Sequence, residues 1–331
     1  MISLKLLPRI LLRYRRTFTP RRAINAARVV ASYGLSRLVG RDVRMGRPVV
    51  LMVEPTNICN LKCPLCPSGN GGLTRPRGTM TFDAFRRVFD QQARDLLLLM
   101  LWNQGEPFIN RDLLKMVALA KSRNVPTITS TNGHFVRTAS EAEALVRSGL
   151  DELIVSLDGA TPETYVQYRV GGDFDRVLTA ARLVCEAKQR LRSDTPVVHL
   201  QFIIMRHNEN EVDAARRIAK DLGVNRLSLK TAQVYTEEDA RQFLPNDERY
   251  SRYRYSGEGL TMNGKVKNTC RHLWYSTVVN WDGVVSPCCF DKDAHYGLGD
   301  TLNGEAFGDI WKGSRYTHFR NTILKDRASV P

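Results

Sequence analysis

Three thiols stand in one short loop. Cys59, Cys63 and Cys66 are spaced Cys-x3-Cys-x2-Cys just after the apolar run 49–53. A [4Fe–4S] cluster takes four cysteine thiolates, one per iron, so a loop that offers three leaves one iron free to bind and activate another ligand. A structural zinc site prefers four ligands in paired Cys-x2-Cys arms, which this spacing does not supply. A second pattern lies downstream: Cys270, twelve residues, Gly283, four residues and Cys288. The residues between, Val278 to Val285, read as a hairpin turning at Asp282 and Gly283, and a hairpin brings both cysteines to one end. With seven cysteines in clustered spacings, metal ligation is the first reading and disulfides the second.

Something must hold these loops. Apolar runs at 49–53, 96–101, 127–131, 153–157, 197–205 and 227–229 read as strands, and helical patterns fall near 81–94, 110–123, 139–148, 174–191 and 209–222. Strands alternating with crossover helices make an α/β fold with a parallel sheet, here a partial (β/α)6 TIM-like barrel. The cysteine loop and the other chemically suggestive residues follow strand ends, where barrels of this class place their sites. The expected organisation is an N-terminal arm over 1–47, the barrel over 48–231, a linker over 232–268 and a small C-terminal module over 269–331. Cys185 falls in an apolar helical pattern and reads as core.

The net charge of +15 belongs mostly to the arm. Residues 1–48 hold twelve Lys or Arg against one acid, Asp42, a net +11. Within the arm Ile24, Ala27, Ala31, Leu35 and Leu38 recur as one helical stripe, and Leu4, Leu6, Leu7, Ile10, Leu11 and Leu12 form a second apolar group. Three uses stay open: a helix packed on the barrel with its arginines in water, a peripheral contact with an anionic membrane, or a grip on RNA phosphates. No apolar run approaches the roughly 18 residues of a membrane span. Pro8 and Arg9 divide the first apolar stretch, so the expectation is a cytoplasmic protein, at most peripheral at the inner face of the membrane.

Over residues 48–230 the chain resembles the radical S-adenosylmethionine (SAM) enzymes. The resemblance implies that Cys59, Cys63 and Cys66 bind three irons of a [4Fe–4S] cluster and that SAM chelates the fourth. An electron then splits SAM to a 5′-deoxyadenosyl radical that abstracts hydrogen from substrate. Leu65 departs from the aromatic residue usual before the third cysteine, and Leu is expected to cover the adenine or the cluster. Asn103-Gln104-Gly105-Glu106-Pro107 is similar to the family's Gly-Gly-Glu-Pro segment, which implies a hold on the SAM ammonium by Glu106, a close backbone approach to the ligand at Gly105, a turn stiffened by Pro107, and Asn103 beside them. By the same resemblance Thr131, Asn132, Ser156 and Asp158 border the ribose or methionine part, Arg169 pairs with the SAM carboxylate, and Asn208 is a further candidate.

The C-terminal pattern looks like the first half of the family's SPASM region, or its shorter relative the twitch domain. There Cys270 and Cys288 ligate an auxiliary [4Fe–4S] cluster completed by a downstream Cys-x2-Cys pair. No such pair precedes Pro331, so either the chain stops short of its natural terminus or the auxiliary cluster is incomplete or absent. Cys289 adjoins Cys288, and adjacent side chains diverge in extended chain. The implied function is hydrogen abstraction from a peptide or a carbohydrate-like small molecule, with an electron donor such as flavodoxin or ferredoxin. The reading leans to a carbohydrate or lipid-linked substrate, because no region resembles the small winged domain with which peptide-maturing relatives hold a leader. An RNA-modifying radical enzyme and a non-catalytic iron–sulfur carrier or sensor are the alternatives.

Overall fold

The computed structural model describes residues 16–256, 259–264 and 267–330; the apolar group from Leu4 to Leu12 lies outside them. A 20-residue helix, α1 (Pro20–Val39), precedes the sheet. Six strands then follow in chain order across it: β1 (Val50–Val53), β2 (Leu98–Leu101), β3 (Thr127–Thr131), β4 (Glu152–Ser156), β5 (Val197–Ile204) and β6 (Arg226–Thr231). All five pairings are parallel. The crossovers carry α2 (Phe82–Asp90), α3 (Leu113–Ser122), α4 (Ala139–Arg147), α5 (Pro162–Tyr168), α6 (Phe174–Arg190) and α7 (Val212–Asp221). This is the α/β partial barrel that the alternation predicts.

Local chemistry starts and stops these elements. Thr138 caps α4 and Glu141 reaches back to it, a capping box; Thr161 caps α5 ahead of Pro162. The strands are short; along β2, β3 and β4 buried residues alternate with half-buried ones, and the edge strand β6 is half-exposed. Leu51, Val53, Leu99, Leu101, Val155, Leu200 and Phe202 are buried in one core with Phe85 and Phe89 of α2, whose rings stack at 5.3 Å.

Two segments differ from expectation. The stretch 232–268 carries α8 (Glu237–Phe243), capped by Thr236, and an antiparallel pair, β7 (Tyr253–Ser256) and β8 (Gly259–Met262). Ala240, Phe243 and Leu244 pack against Leu61, Cys63 and Leu65, so this stretch covers the cysteine loop. A helix of two turns is too short for periodicity to betray it. The C-terminal hairpin also joins the barrel: β9 (Ser276–Val279) pairs parallel with β1, and β10 (Val285–Ser286) turns back antiparallel at Gly283. The sheet therefore has eight strands, in the order β10-β9-β1-β2-β3-β4-β5-β6. Beyond it α9 (Phe307–Lys312) and α10 (Ser314–Lys325) close over the hairpin. Arg320 of α10 lies fully buried between the rings of Trp311 and Tyr316, 4.1 and 3.9 Å from their centroids.

The arm departs further. Helix α1 packs on the barrel with Arg22, Asn25, Val29, Ser32 and Ser36, a largely polar face. The Arg22 guanidinium donates to the carbonyls of Thr17, Ala93, Arg123 and Asn124 at 2.7–3.1 Å. Asn25 and Arg47 exchange hydrogen bonds, and Ser32 and Ser36 accept from the N–H groups of Met45 and Val43. The apolar stripe, which a helix packed with its arginines in water would bury, is exposed instead. Loops at the barrel bottom present unpaired carbonyls, and those select the polar face of the helix.

Candidate active site

Each cysteine of the loop meets a polar group from a different strand end. Asn132, after β3, directs its amide nitrogen at Cys59 Sγ from 4.0 Å, and the Leu61 N–H donates to the same sulfur at 3.4 Å. Arg169, which closes α5 after β4, brings Nη1 to 3.7 Å from Cys63 Sγ. Gln104, after β2, places its amide oxygen 3.9 Å from Cys66 Sγ. The loop's shape follows from its own residues. Cys66 precedes a single helical turn, Pro67–Asn70, and a Cβ on Gly69 would stand 2.6 Å from the Cys63 nitrogen, so glycine is required there.

The donor set suits a cationic cluster. Burial pushes the Cys59 thiol up to about 11 and raises that of Cys63, so bare thiols here stay protonated at neutral pH. Holding them together as thiolates demands strong positive charge at the sulfurs. Among the described residues no three His, Cys, Asp or Glu side chains are placed to hold one metal ion. A four-iron cluster asks for no such closeness, because each thiolate takes a different iron.

Gly105 has φ +74°, and a Cβ there would lie 2.6–2.7 Å from the backbone of residues 56–58. Glu106 N–H donates to the Ile58 carbonyl at 2.8 Å. The close approach expected of Gly105 toward a ligand is therefore an approach to the cysteine loop itself. The buried Glu106 carboxylate accepts from the N–H groups of Asn132 at 2.6 Å and Phe108 at 3.1 Å, capping the turn that begins at Pro107. Burial raises its pKa to about 7 against the pull of those donors. Asn103 donates to Glu54 and to Asn280, so its amide nitrogen serves the protein rather than a ligand. Thr131 Oγ1 accepts from Gly133 N–H at 3.0 Å, and Ser156 ends β4, buried, in register with Gln201.

Asp158 is held within the protein. Its backbone is left-handed at φ +52° and its carboxylate is fully buried, one oxygen accepting from Ile203 N–H and the other gripping Arg169. Asn208 is a fixture of the same turn, donating to the Asp158 and Ile203 carbonyls and accepting from Met205 N–H. Leu65 is buried with Tyr168, Met205 and Phe243, inside the protein wall. Cys185 is a core thiol on α6.

The sequence reading misses Glu54, the residue straight after β1. It is fully buried and forms two hydrogen bonds with Arg75 at 2.5 and 2.7 Å, while Gln104 and Trp281 donate their backbone N–H groups to it. Burial raises its carboxyl pKa against those donors. An acid closing an otherwise apolar strand was the available signal. Ser68 is a second omission: it donates to Gln104 and accepts from Gly105 N–H. In the C-terminal region burial pushes the Cys288 thiol up to about 11, and thiolates at Cys289 and Cys270 would raise it further. Asp293 accepts from Thr74 and Arg75, and Trp281 donates to the Pro76 carbonyl, so the hairpin region is pinned to the segment after the cysteine loop.

A family model described as the radical SAM superfamily matches residues 53–218, and one described as an iron–sulfur cluster-binding domain, SPASM, matches residues 270–330. A PqqA peptide cyclase from Ruegeria pomeroyi is 25% identical over 303 residues, covering 85% of this chain and 78% of the cyclase. Other PqqA peptide cyclases match over about half of their own length. Among solved structures, Streptococcus suis SuiB bound to precursor peptide SuiA superposes with a TM-score of 0.63 at 15% identity, covering 89% of this chain and 70% of SuiB. BtrN in complex with AdoMet and 2-DOIA gives 0.52 at 16% identity, covering 86% and 90%. These two structures agree in fold.

Proposed function

Since the chain belongs to the radical SAM superfamily and carries a C-terminal SPASM domain, we propose that it abstracts hydrogen from a peptide substrate. The observation that carries the assignment of the site is the convergence of Asn132, Arg169 and Gln104, from three strand ends, on Cys59, Cys63 and Cys66. The three thiols hold the cluster. When bound, the cluster supplies the electron that splits SAM and so generates the hydrogen-abstracting radical. Polar groups aimed at the sulfurs tune the centre's potential and fix the loop.

Around the thiols the roles follow from placement. Burial opposes the charge on Arg169, but Asp158 and Cys63 outweigh it and keep the guanidinium protonated. It supports the Cys63 thiolate. Glu106, with its raised pKa, takes up an ammonium nearby and becomes fully ionised in doing so. Thr131, Asn132 and Ser156 line the strand ends between them. Leu61, Leu65, Tyr168 and Phe243 form an apolar wall that keeps water from the sulfurs.

A peptide replaces the carbohydrate or lipid-linked substrate towards which the sequence reading leans, because the relatives matched over most of the chain include a peptide cyclase. The test is anaerobic reconstitution with iron and sulfide, then SAM and dithionite in place of flavodoxin or ferredoxin. 5′-Deoxyadenosine should form, and Cys63→Ala should abolish it; no nucleoside under full reduction overturns the assignment. A deuterated peptide substrate should pass deuterium into the 5′-deoxyadenosine. Deuterium arriving only from a cyclitol or sugar would overturn the peptide reading and leave the radical chemistry standing.

A further inference from the structure

Helix α1 spends its polar side on the barrel and shows its apolar side to solvent. Ile24, Ala27, Ala31, Leu35 and Leu38 fall within roughly 80° of one another on a 3.6-residue helix. All five are exposed, Ile24 at 54% and Leu38 at 82%, and Phe18, Val30 and Val39 on or just before the same helix are exposed as well. Scattered exposed apolar residues are ordinary, but a continuous strip marks a contact surface.

The surroundings of the strip say what covers it. Arg28 and Arg37 flank it on either side and Arg41 follows its end, all exposed. A recess of 190 Å³ near the start of α1 is lined by Arg16, Arg21, Arg22, Arg94 and Arg123; Arg22 is spent on backbone carbonyls, Arg21 pairs with Asp95 and Arg123 with Asp90, so the exposed Arg16 and Arg94 are the cations it offers. The sequence before it, outside the described residues, continues the same mixture of leucines with Lys5, Arg9, Arg13 and Arg15. A shallow apolar strip ringed by cations matches a surface that is anionic at the headgroups and apolar just beneath. Nucleic acid would use the arginines and leave the strip in water. Among the described residues no helix is long and apolar enough to cross a membrane, so the contact is one of lying on the surface.

We infer that the exposed face of α1 docks the protein on an anionic lipid bilayer. The geometry sets the orientation. Arg22 binds carbonyls that precede β2 and β3, at the N-terminal ends of the strands, whereas the cysteine loop and its partners follow the C-terminal ends. Docking by α1 therefore leaves the cysteine site open on the side away from the lipid.

The experiment is flotation of the full-length protein with phosphatidylcholine vesicles, with and without phosphatidylglycerol. The expected result is flotation only with phosphatidylglycerol, weakened by salt, and reduced about tenfold or more by Ile24→Glu with Leu38→Glu, because a charge in the apolar face opposes insertion. Leu35→Ser with Leu38→Ser, which adds no charge, should give a loss of the same sign, with circular dichroism confirming the fold of both variants. Any of four results overturns the inference: no flotation with anionic vesicles, flotation undiminished in both variants, a dimer by light scattering that the variants dissociate while vesicles go unbound, or retention of RNA in place of lipid.

Discussion

Arg169 holds Asp158 through two guanidinium nitrogens, Nε and Nη2, that converge on one carboxylate oxygen, the Nε contact measuring 2.7 Å. The carboxylate is fully buried and its other oxygen accepts from Ile203 N–H at 2.6 Å. Asp158 thus acts as the orienting partner, and Arg169 is left with Nη1 for Cys63. In Asp158→Asn the side-chain amide would turn a donor toward the guanidinium. Breaking a buried pair from one side costs about 3 kcal/mol or more. Denaturant unfolding should show that loss. In the reconstituted protein the cluster's absorbance and potential should shift, which a purely structural defect elsewhere would not produce. Unchanged spectra in Asp158→Asn would detach Arg169 from the cysteine site.

Glu54 and Arg75 form the joint between the cysteine loop, the β2 loop and the C-terminal hairpin. With side chains 0% and 6% exposed, they are a buried pair in which removing one partner strands the other. Arg75→Met should lose about 4 kcal/mol of stability. Adding Glu54→Gln should recover part of it, because the stranded charge is gone and the amide oxygen still accepts from one of the two N–H groups, Gln104 or Trp281, that reach the separate carboxylate oxygens. Lowering the pH should likewise help Arg75→Met more than the parent, since protonation neutralises Glu54. A single variant as stable as the parent would show that the joint is not needed.

How much of this was legible beforehand varies with the physics involved. The six parallel strands were readable because each is a short apolar run and all but the last are followed by a helix-period segment. The thiol spacing and the residues after β2, β3 and β4 were readable because strand ends are where this architecture gathers them. The direction of α1 was not. The stripe of Ile24, Leu35 and Leu38 predicts a buried face only when apolar area decides the packing, and here the carbonyls bound by Arg22 decide it. Gly105 was recognised as a close-approach residue, but what it approaches, the backbone of residues 56–58, is a tertiary fact. Glu54 went unread because its partners lie 21 to 227 positions away.

His199 gives the fold an acid-sensitive point away from the thiols. It lies on β5, its Nδ1 accepts from Arg226 Nη2 at 2.9 Å, and its ring is 5% exposed. Burial first, then the Arg226 and Lys230 charges, lower its pKa from 6.5 to about 4. The folded state therefore binds fewer protons than the unfolded state between those values. Stability from this residue is complete above pH 6.5 and falls as the pH drops toward 4, a loss moderated by the Glu152 carboxylate, 3.4 Å from Nε2, which favours the protonated ring. His199→Gln, which keeps an acceptor for Arg226, should flatten the decline over that window in urea titrations at stepped pH. An identical slope in parent and variant would assign the acid sensitivity elsewhere.

Cys270 and Cys288 offer the sharpest numerical test of the C-terminal region. Cys270 lies just before the turn leading into β9 and Cys288 two residues past β10, so the hairpin returns them to the same end of the sheet. Their neighbour Cys289 also senses charge at Cys270, which brings three thiols into one another's field. If they hold an auxiliary cluster, the reconstituted parent should carry about eight irons per chain and Cys270→Ala with Cys288→Ala about four. Formation of 5′-deoxyadenosine should survive in that double variant, because the sulfurs beside Arg169, Gln104 and Asn132 are untouched. Adding Cys289→Ala to the parent separates its part: a fall in iron makes it a ligand, and an unchanged count leaves the two flanking thiols to complete their centre with a different group. A parent with about four irons, unaffected by the double variant, would make Cys270 and Cys288 ordinary thiols of the fold.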